Sequence, residues 1–254
     1  MKKTAFFFVV STFFILSCKK QEVRKETSSA EKQEKNKSIE IFPIKHATTV
    51  LQYQDQTLYI DPTGGSVAFK KYHKPTIVLI TDIHGDHMNL KTLKELDLSE
   101  SVLIAPKAVI DKTTSIQTQQ KITLNNNDST EVNNIKIEAI PMYNLRKEAL
   151  QFHPKGRGNG YVITLGEERL YFSGDTEDIS EMRSLKNIDK AFVCMNLPYT
   201  MTVESAASAV LDFKPKQVYP YHYRGTNGMS DIQKFKEIVA QQNSTIEVVQ
   251  LQWY

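Results

Sequence analysis

Two lysines open the chain, and an apolar run of about 14 residues follows, ending Ile15-Leu16-Ser17-Cys18. That length is short for a membrane span and matches the core of a signal peptide. Residues 19–38 then carry almost no large apolar side chains and are rich in Lys, Glu, Gln and Ser. Such a segment buries too little surface to offset chain entropy, so it reads as a disordered tether. From residue 39 the pattern changes. Ile39-Glu40-Ile41 alternates, Thr48–Tyr53 and Thr57–Ile60 predict a hairpin, and Asp61-Pro62-Thr63-Gly64-Gly65 predicts a turn. Thr76-Ile77-Val78-Leu79-Ile80 is almost wholly apolar and β-branched, the pattern of a strand covered on both faces. A helix is expected near 90–96. Further strands are expected near 102–104, 121–124, 135–140, 160–165, 169–173, 190–195, 217–220 and 246–250. Helical spacing marks Ser205–Asp212 and Asp231–Gln241, the latter with Ile232, Phe235 and Val239 on one side. Strands that dominate the first half and then alternate with helices imply sheets faced by helices.

Composition narrows this picture. Of 254 residues, 40% hydrophobic, roughly 215 lie beyond the leader and tether, enough for one α/β domain with a sizeable core. The formal net charge is +3, and Lys2 and Lys3 supply two of those charges. The near-neutral remainder has no dense basic stripe, which argues against a nucleic-acid partner. The leader resembles a bacterial lipobox, in which Cys18 is lipidated and becomes the mature N-terminus. Several acyl chains make a stable anchor, each buried CH₂ contributing about 0.8 kcal/mol. The expected organisation is a lipoprotein signal peptide at 1–17, a polar tether at 18–38 and a folded domain at 39–254. The expected setting is an exported protein anchored to a bacterial membrane, on its periplasmic or cell-surface side. Cys194 is then the one remaining thiol, which excludes a disulfide framework. Its apolar neighbours Ala191-Phe192-Val193 and Met195 mark it as a buried structural thiol.

Chemistry concentrates directly after the buried run, in Thr81-Asp82-Ile83-His84-Gly85-Asp86-His87. Four potential ligands fall within six residues. A loop at the carboxyl end of a buried strand is rigid at its base and can aim alternate side chains at points a few Å apart. Imidazole together with carboxylate suits Zn, Mn or Fe. Residues of the same types recur later. His153 opens Phe152-His153-Pro154-Lys155-Gly156-Arg157-Gly158-Asn159-Gly160-Tyr161. Asp175 sits in Ser173-Gly174-Asp175-Thr176, and His222 in Tyr219-Pro220-Tyr221-His222-Tyr223.

The 82–87 loop resembles the H-x-H-x-D-H motif of the metallo-β-lactamase superfamily. The resemblance extends in order over most of residues 39–254. It is nearest to the branch containing L-ascorbate-6-phosphate lactonase and the N-acyl-phosphatidylethanolamine phospholipase D relatives. It implies an α/β fold, the four-layer αβ/βα sandwich of two mixed β-sheets with outer helices and metals at one edge. It implies two divalent metal ions, Zn or Mn, with Fe as a further candidate. Asp82, His84 and His153 would hold the first, Asp86, His87 and His222 the second, and Asp175 would bridge them. Metal-bound hydroxide would attack a lactone, a phosphodiester or a related ester-like bond of a small-molecule substrate. Asp86, His84 and His87 would be the catalytic residues, Asp86 orienting the nucleophile and handling its proton. The departure is Asp82, where the superfamily pattern has histidine. A carboxylate is the harder ligand and favours Mn or Fe over Zn, or else leaves the first ion weakly held. The alternative is an exported lipoprotein of the same fold that binds a metal or ligand without turnover, its metal having no open position.

Other residues carry weaker signals. Lys155, Arg157 and Arg224 flank two of the ligands and read either as contacts for an anionic substrate or as ordinary surface charges. Asn159 and Gly160 offer amide donors near the metals. Asn196 and Tyr199 follow a core strand and would line a pocket, as would Met142-Tyr143-Asn144. Asp61 is expected to turn the chain or to orient a ligand histidine. His46 is expected to pack behind the site, and His73 to face solvent.

Overall fold

In the computed structural model, Met1 and residues 38–254 are described. The leader, Cys18 and the tether up to residue 37 lie outside the described residues. Strands β1 (Glu40–Lys45), β2 (Thr48–Tyr53), β3 (Gln56–Ile60), β4 (Ile77–Leu79), β5 (Val102–Ala105) and β6 (Gln120–Thr123) form one sheet in sequential order. β1 to β3 make an antiparallel meander, and β3 to β6 run parallel. The second sheet follows the same plan. β7 (Ser129–Val132), β8 (Ile135–Met142), β9 (Gly158–Leu165) and β10 (Glu168–Phe172) are antiparallel neighbours. β11 (Lys190–Cys194) and β12 (Gln217–Tyr221) then add in parallel. A short ribbon of β13 (Arg224–Gly225) and β14 (Gly228–Met229) precedes β15 (Glu247–Val248), which completes the sheet beside β12. Parallel neighbours need crossovers, and these carry helices α1 (Leu90–Glu95), α2 (Lys107–Ile110), α3 (Ser180–Arg183), α4 (Val203–Phe213) and α5 (Ile232–Gln242).

Side-chain alternation along the central strands separates two cores. Leu58, Ile60, Ile77, Leu79, Val102 and Ile104 pack with Ile137, Ala139, Tyr161 and Ile163 of the second sheet. The intervening Tyr59, Val78, Ile80, Leu103 and Ala105 pack with Leu93 of α1 and Val109 of α2. This is why 76–80 reads as an unbroken hydrophobic run: each face meets a different layer. The result is the expected sandwich of two mixed sheets with outer helices. Thr202 caps α4 by accepting from the Ser205 amide, and Asp231 caps α5 by accepting from that of Lys234. The first of these sets the helix start at Val203, two residues before the expected boundary. Among the described residues, no helix is long and apolar enough to cross a membrane.

Several elements lie outside the sequence expectation, among them β7, the β13–β14 ribbon, α2 and α3. β7 reads Ser-Thr-Glu-Val with every other residue exposed, and its strand character comes from pairing with β8. α2 and α3 are four residues each, too short for a helical period to register.

Candidate metal centre

The carboxyl ends of the parallel strands carry the site, as expected where strands end and crossovers begin. Asp61 follows β3, the 81–88 loop follows β4, Asp175 follows β10, Asn196 follows β11 and His222 follows β12. The two sheets are tied together at this edge. The Asn159 amide donates to Thr81 O at 3.0 Å and the Tyr161 hydroxyl to Ile80 O at 2.9 Å. Within the loop, the His87 and Met88 amides both bond His84 O, which turns His84 and His87 inward from one tight bend.

Several backbone conformations are unusual there. Asp61 and His222 have φ of 47° and 45°, and His46 has 51°. Left-handed backbone at non-glycine residues costs about 1–3 kcal/mol and persists where surrounding structure over-determines it. Gly174, at φ 60°, could not be replaced without cost, because a Cβ there would lie 2.5 Å from Met142 Sδ. That close approach seats Asp175.

The donors converge on Asp175. Its Oδ2 lies 3.3 Å from His87 Nε2 and 3.3 Å from His153 Nε2, and its Oδ1 lies 3.4 Å from His222 Nε2. His222 Nε2 is also 3.2 Å from Asp86 Oδ2 and 3.2 Å from His87 Nε2. Two triads have ligand atoms within 4.8 Å of one another: Asp82, His84 and His153, and Asp86, His87 and His222. Thus all seven expected ligand positions are brought together at one edge. Behind His87, Asp61 accepts at Oδ2 from Nδ1 at 2.8 Å and from Thr81 Oγ1 at 2.6 Å, and at Oδ1 from the Thr81 amide at 2.7 Å. This leaves His87 Nε2 facing the other donors.

Electrostatics follow from this packing. Burial alone would push His87 down, but Asp175 and Asp61 more than reverse it and hold the imidazole well above its ordinary value. Burial opposes the charged form of Asp175, yet the neighbouring His222, His87 and His153 hold its carboxyl well below the usual range. Asp86 is also lowered against burial, by His222 and His87. Burial and the neighbouring His222 push His46 down to about 4. Its Nδ1 meets the Tyr254 hydroxyl at 3.0 Å and its ring sits edge-on to His222.

Do these residues fit a metal? His153 Nδ1 and Nε2, His222 Nδ1 and Asp175 Oδ1 are buried without a hydrogen-bond partner, and buried polar atoms in proteins are otherwise paired. Separations of 3.2–3.4 Å between donors on Asp86, His87, Asp175 and His222, with 4.0 Å between His87 Nε2 and Asp86 Oδ1, suit ligand atoms on one divalent ion with bonds of about 2.0–2.1 Å and an open position for water. Those four fit a divalent ion.

The expected substrate contacts sort differently. Four of the donors (His84, Asp86, His153 and Asp175) line a cavity of about 310 Å³ together with Phe152, Asn196 and Tyr199. The three cations are committed elsewhere. Lys155 pairs with Glu181 at 2.9 Å, Arg224 stacks on Tyr254, and Arg157 forks onto Asp82. Asn159 is fully buried, and its side-chain amide donates to Leu124 O. Cys194 is buried, and burial with Asp175 pushes its thiol up to about 12, as a structural cysteine requires. His73 is exposed as expected. Sequence reasoning missed Tyr254 behind His46 and Tyr221, whose hydroxyl accepts from the Gly174 amide at 2.9 Å.

An αβ/βα sandwich with a His/Asp cluster at the carboxyl edge of its parallel strands is an architecture that metal-dependent hydrolases use. The chain belongs to the metallo-β-lactamase superfamily: the family model for the β-lactamase superfamily domain matches residues 40–222. A UPF0173 metal-dependent hydrolase of Pyrococcus furiosus is 25% identical over 221 residues, 82% of this chain and 95% of that protein. A crystal structure titled as a metal-dependent hydrolase of Parabacteroides distasonis is 37% identical, with TM-score 0.73 over 84% of this chain and 92% of that one. The metallo-hydrolase Igni18 of Ignicoccus hospitalis shares the fold, with TM-score 0.70 at 20% identity over 84% of this chain and 95% of that one. The protein is therefore a metal-dependent hydrolase of the metallo-β-lactamase fold.

Proposed function

We propose that this hydrolase cleaves a lactone or a carboxylic ester of a small molecule, with a phosphodiester ranking below these. The observation that carries the reading is the composition of the cavity: metal donors on its walls, Phe152 and Tyr199 beside them, and, among the described residues, no lysine or arginine lining it. A phosphodiester would find the metal ion as its one counter-charge on such walls, with no lysine or arginine to clamp its second oxygen, whereas a neutral ester needs none. A divalent ion supplies Lewis acidity and lowers the pKa of a bound water towards about 7. Asp86 is suited to orient that water and accept its proton. Its side chain is 42% exposed, open to the cavity, and held anionic by its neighbours. Asn196 is held by Thr200, whose hydroxyl donates to its Oδ1 at 2.6 Å, and offers a fixed amide to orient a carbonyl.

The test is turnover of lactones, p-nitrophenyl esters and bis-p-nitrophenyl phosphate by protein loaded with Zn or Mn, then stripped with chelator. Turnover of lactones or carboxylic esters, lost with chelator and restored by metal, is expected. Turnover confined to the phosphodiester would overturn the substrate class.

We also propose that the enzyme works outside the cytoplasm on a lipid anchor at Cys18, a reading supported by the leader sequence. Labelled palmitate should be incorporated by the full chain and not by Cys18→Ser. Equal labelling of both would reject the anchor.

A further inference from the structure

The half of the cluster containing Asp82 differs from the half containing Asp86. Asp82 is fully buried, and both of its oxygens are taken. Arg157 Nε donates to Oδ1 at 3.0 Å and Nη2 to Oδ2 at 2.9 Å, a fork-on-carboxylate pair, while His84 Nδ1 reaches Oδ2 at 2.8 Å. The same Nη2 donates to Phe152 O at 2.5 Å and lies 3.5 Å from His84 Nε2. One ring nitrogen of His84 thus faces Asp82 and the other faces a guanidinium. His153, the third member of this triad, turns its Nε2 to Asp175 instead.

Among the described residues, no lysine or arginine bonds Asp86, His87, Asp175 or His222. The groups that meet those carboxylates are imidazoles, which are themselves donors to a metal. A guanidinium has no acceptor atom and stays charged, so it repels an ion. Arg157 therefore competes permanently with an ion for Asp82, whereas the other four donors are free to bind one.

We propose that Arg157 stands in for the second cation. The protein holds one divalent ion tightly, on Asp86, His87, Asp175 and His222, and Asp82 is a carboxylate fixed by Arg157 rather than an open ligand. Aspartate at 82, where the family motif has histidine, and arginine at 157 are then a matched pair. A histidine at 82 would give the guanidinium no anion to fork onto. The inference rests on the cluster being the metal centre, so its test separates the two.

The test is elemental analysis after dialysis against metal-free buffer, with manganese titration followed by electron paramagnetic resonance. Wild type should retain one equivalent, and any second should bind at least 100-fold more weakly, with the six-line spectrum of isolated Mn²⁺. The Asp82→His/Arg157→Ala double variant should retain two equivalents and show the broadened spectrum of a coupled pair. Two tight equivalents in wild type would overturn the proposal without any variant. One equivalent in both proteins, with the double variant's melting curve cooperative, would remove Arg157 from it. No retained metal in either would overturn the metal-centre reading as well. Arg157→Gln, which keeps a donor but no charge, should gain a second equivalent too.

Discussion

Asp175→Ala is expected to abolish tight metal binding and to lower kcat/KM for whichever ester the protein cleaves by at least about 10³-fold. Three imidazoles meet at this one carboxylate, His87 and His153 at 3.3 Å and His222 at 3.4 Å. Among the described residues, it is the only anion that touches all three. A bound ion contributes several kcal/mol to transition-state stabilisation, and each about 1.4 kcal/mol is a factor of ten in rate. Metal lost with the carboxylate takes that contribution with it. The fold should survive, because the cores lie beneath this edge and do not include Asp175. Melting with and without chelator separates the effects: wild type loses stability when stripped, since ligand bound to the native state adds to it, and the variant does not change. Asp175→Asn keeps the shape with a neutral oxygen and should recover only part of the affinity. Full metal content in Asp175→Ala, with turnover within tenfold of wild type, would show that the other donors suffice and that Asp175 is a bystander.

Much of the site was legible because its parts are local. The 82–87 loop announces itself by ligand density, His153 opens a glycine-rich segment, and Asp175 and His222 each follow a recognisable strand. Topology does the rest, since parallel strands in register deliver their carboxyl ends to one edge. Asp61 was legible as an orienting residue for the same reason: it ends β3, next to the loop it supports. Arg157 was not. Its charge read equally as a contact for an anionic substrate or as an ordinary surface charge, whereas its partner is Asp82, 75 residues away, and no local pattern encodes a pairing between two loops from different sheets. Tyr254 was equally silent, because its contact with His46 spans 208 positions. β7 escaped because Val132 is its one apolar residue, too little for an alternating hydrophobic signal. Signals tied to a strand end named residues that the structure brings to one edge. Those that depend on which loops meet required the fold.

Asp61→Ala should weaken metal binding by about 10–100-fold, the usual cost of removing the partner that orients a ligand imidazole. It should also destabilise the metal-free protein by about 3–5 kcal/mol, since it breaks a fully buried charged pair and strips the Thr81 amide and hydroxyl of their acceptor. The pH dependence carries a further signature. The proton of this buried pair sits on His87, whose folded value is held above 6.5 by Asp175 and Asp61. Its stabilising contribution to the metal-free protein is full below about pH 6.5 and is lost as pH rises through the elevated folded value. An ion on Nε2 must displace that proton, so binding near neutral pH releases it and affinity falls as pH is lowered. Calorimetric titration in two buffers of different ionisation enthalpy measures the release directly. Asp61→Asn keeps the shape and one acceptor but removes a charge, so its His87 releases less than the wild type's. Equal release from both proteins would mean that Asp61 does not govern the protonation of His87, and that Asp175 alone sets it.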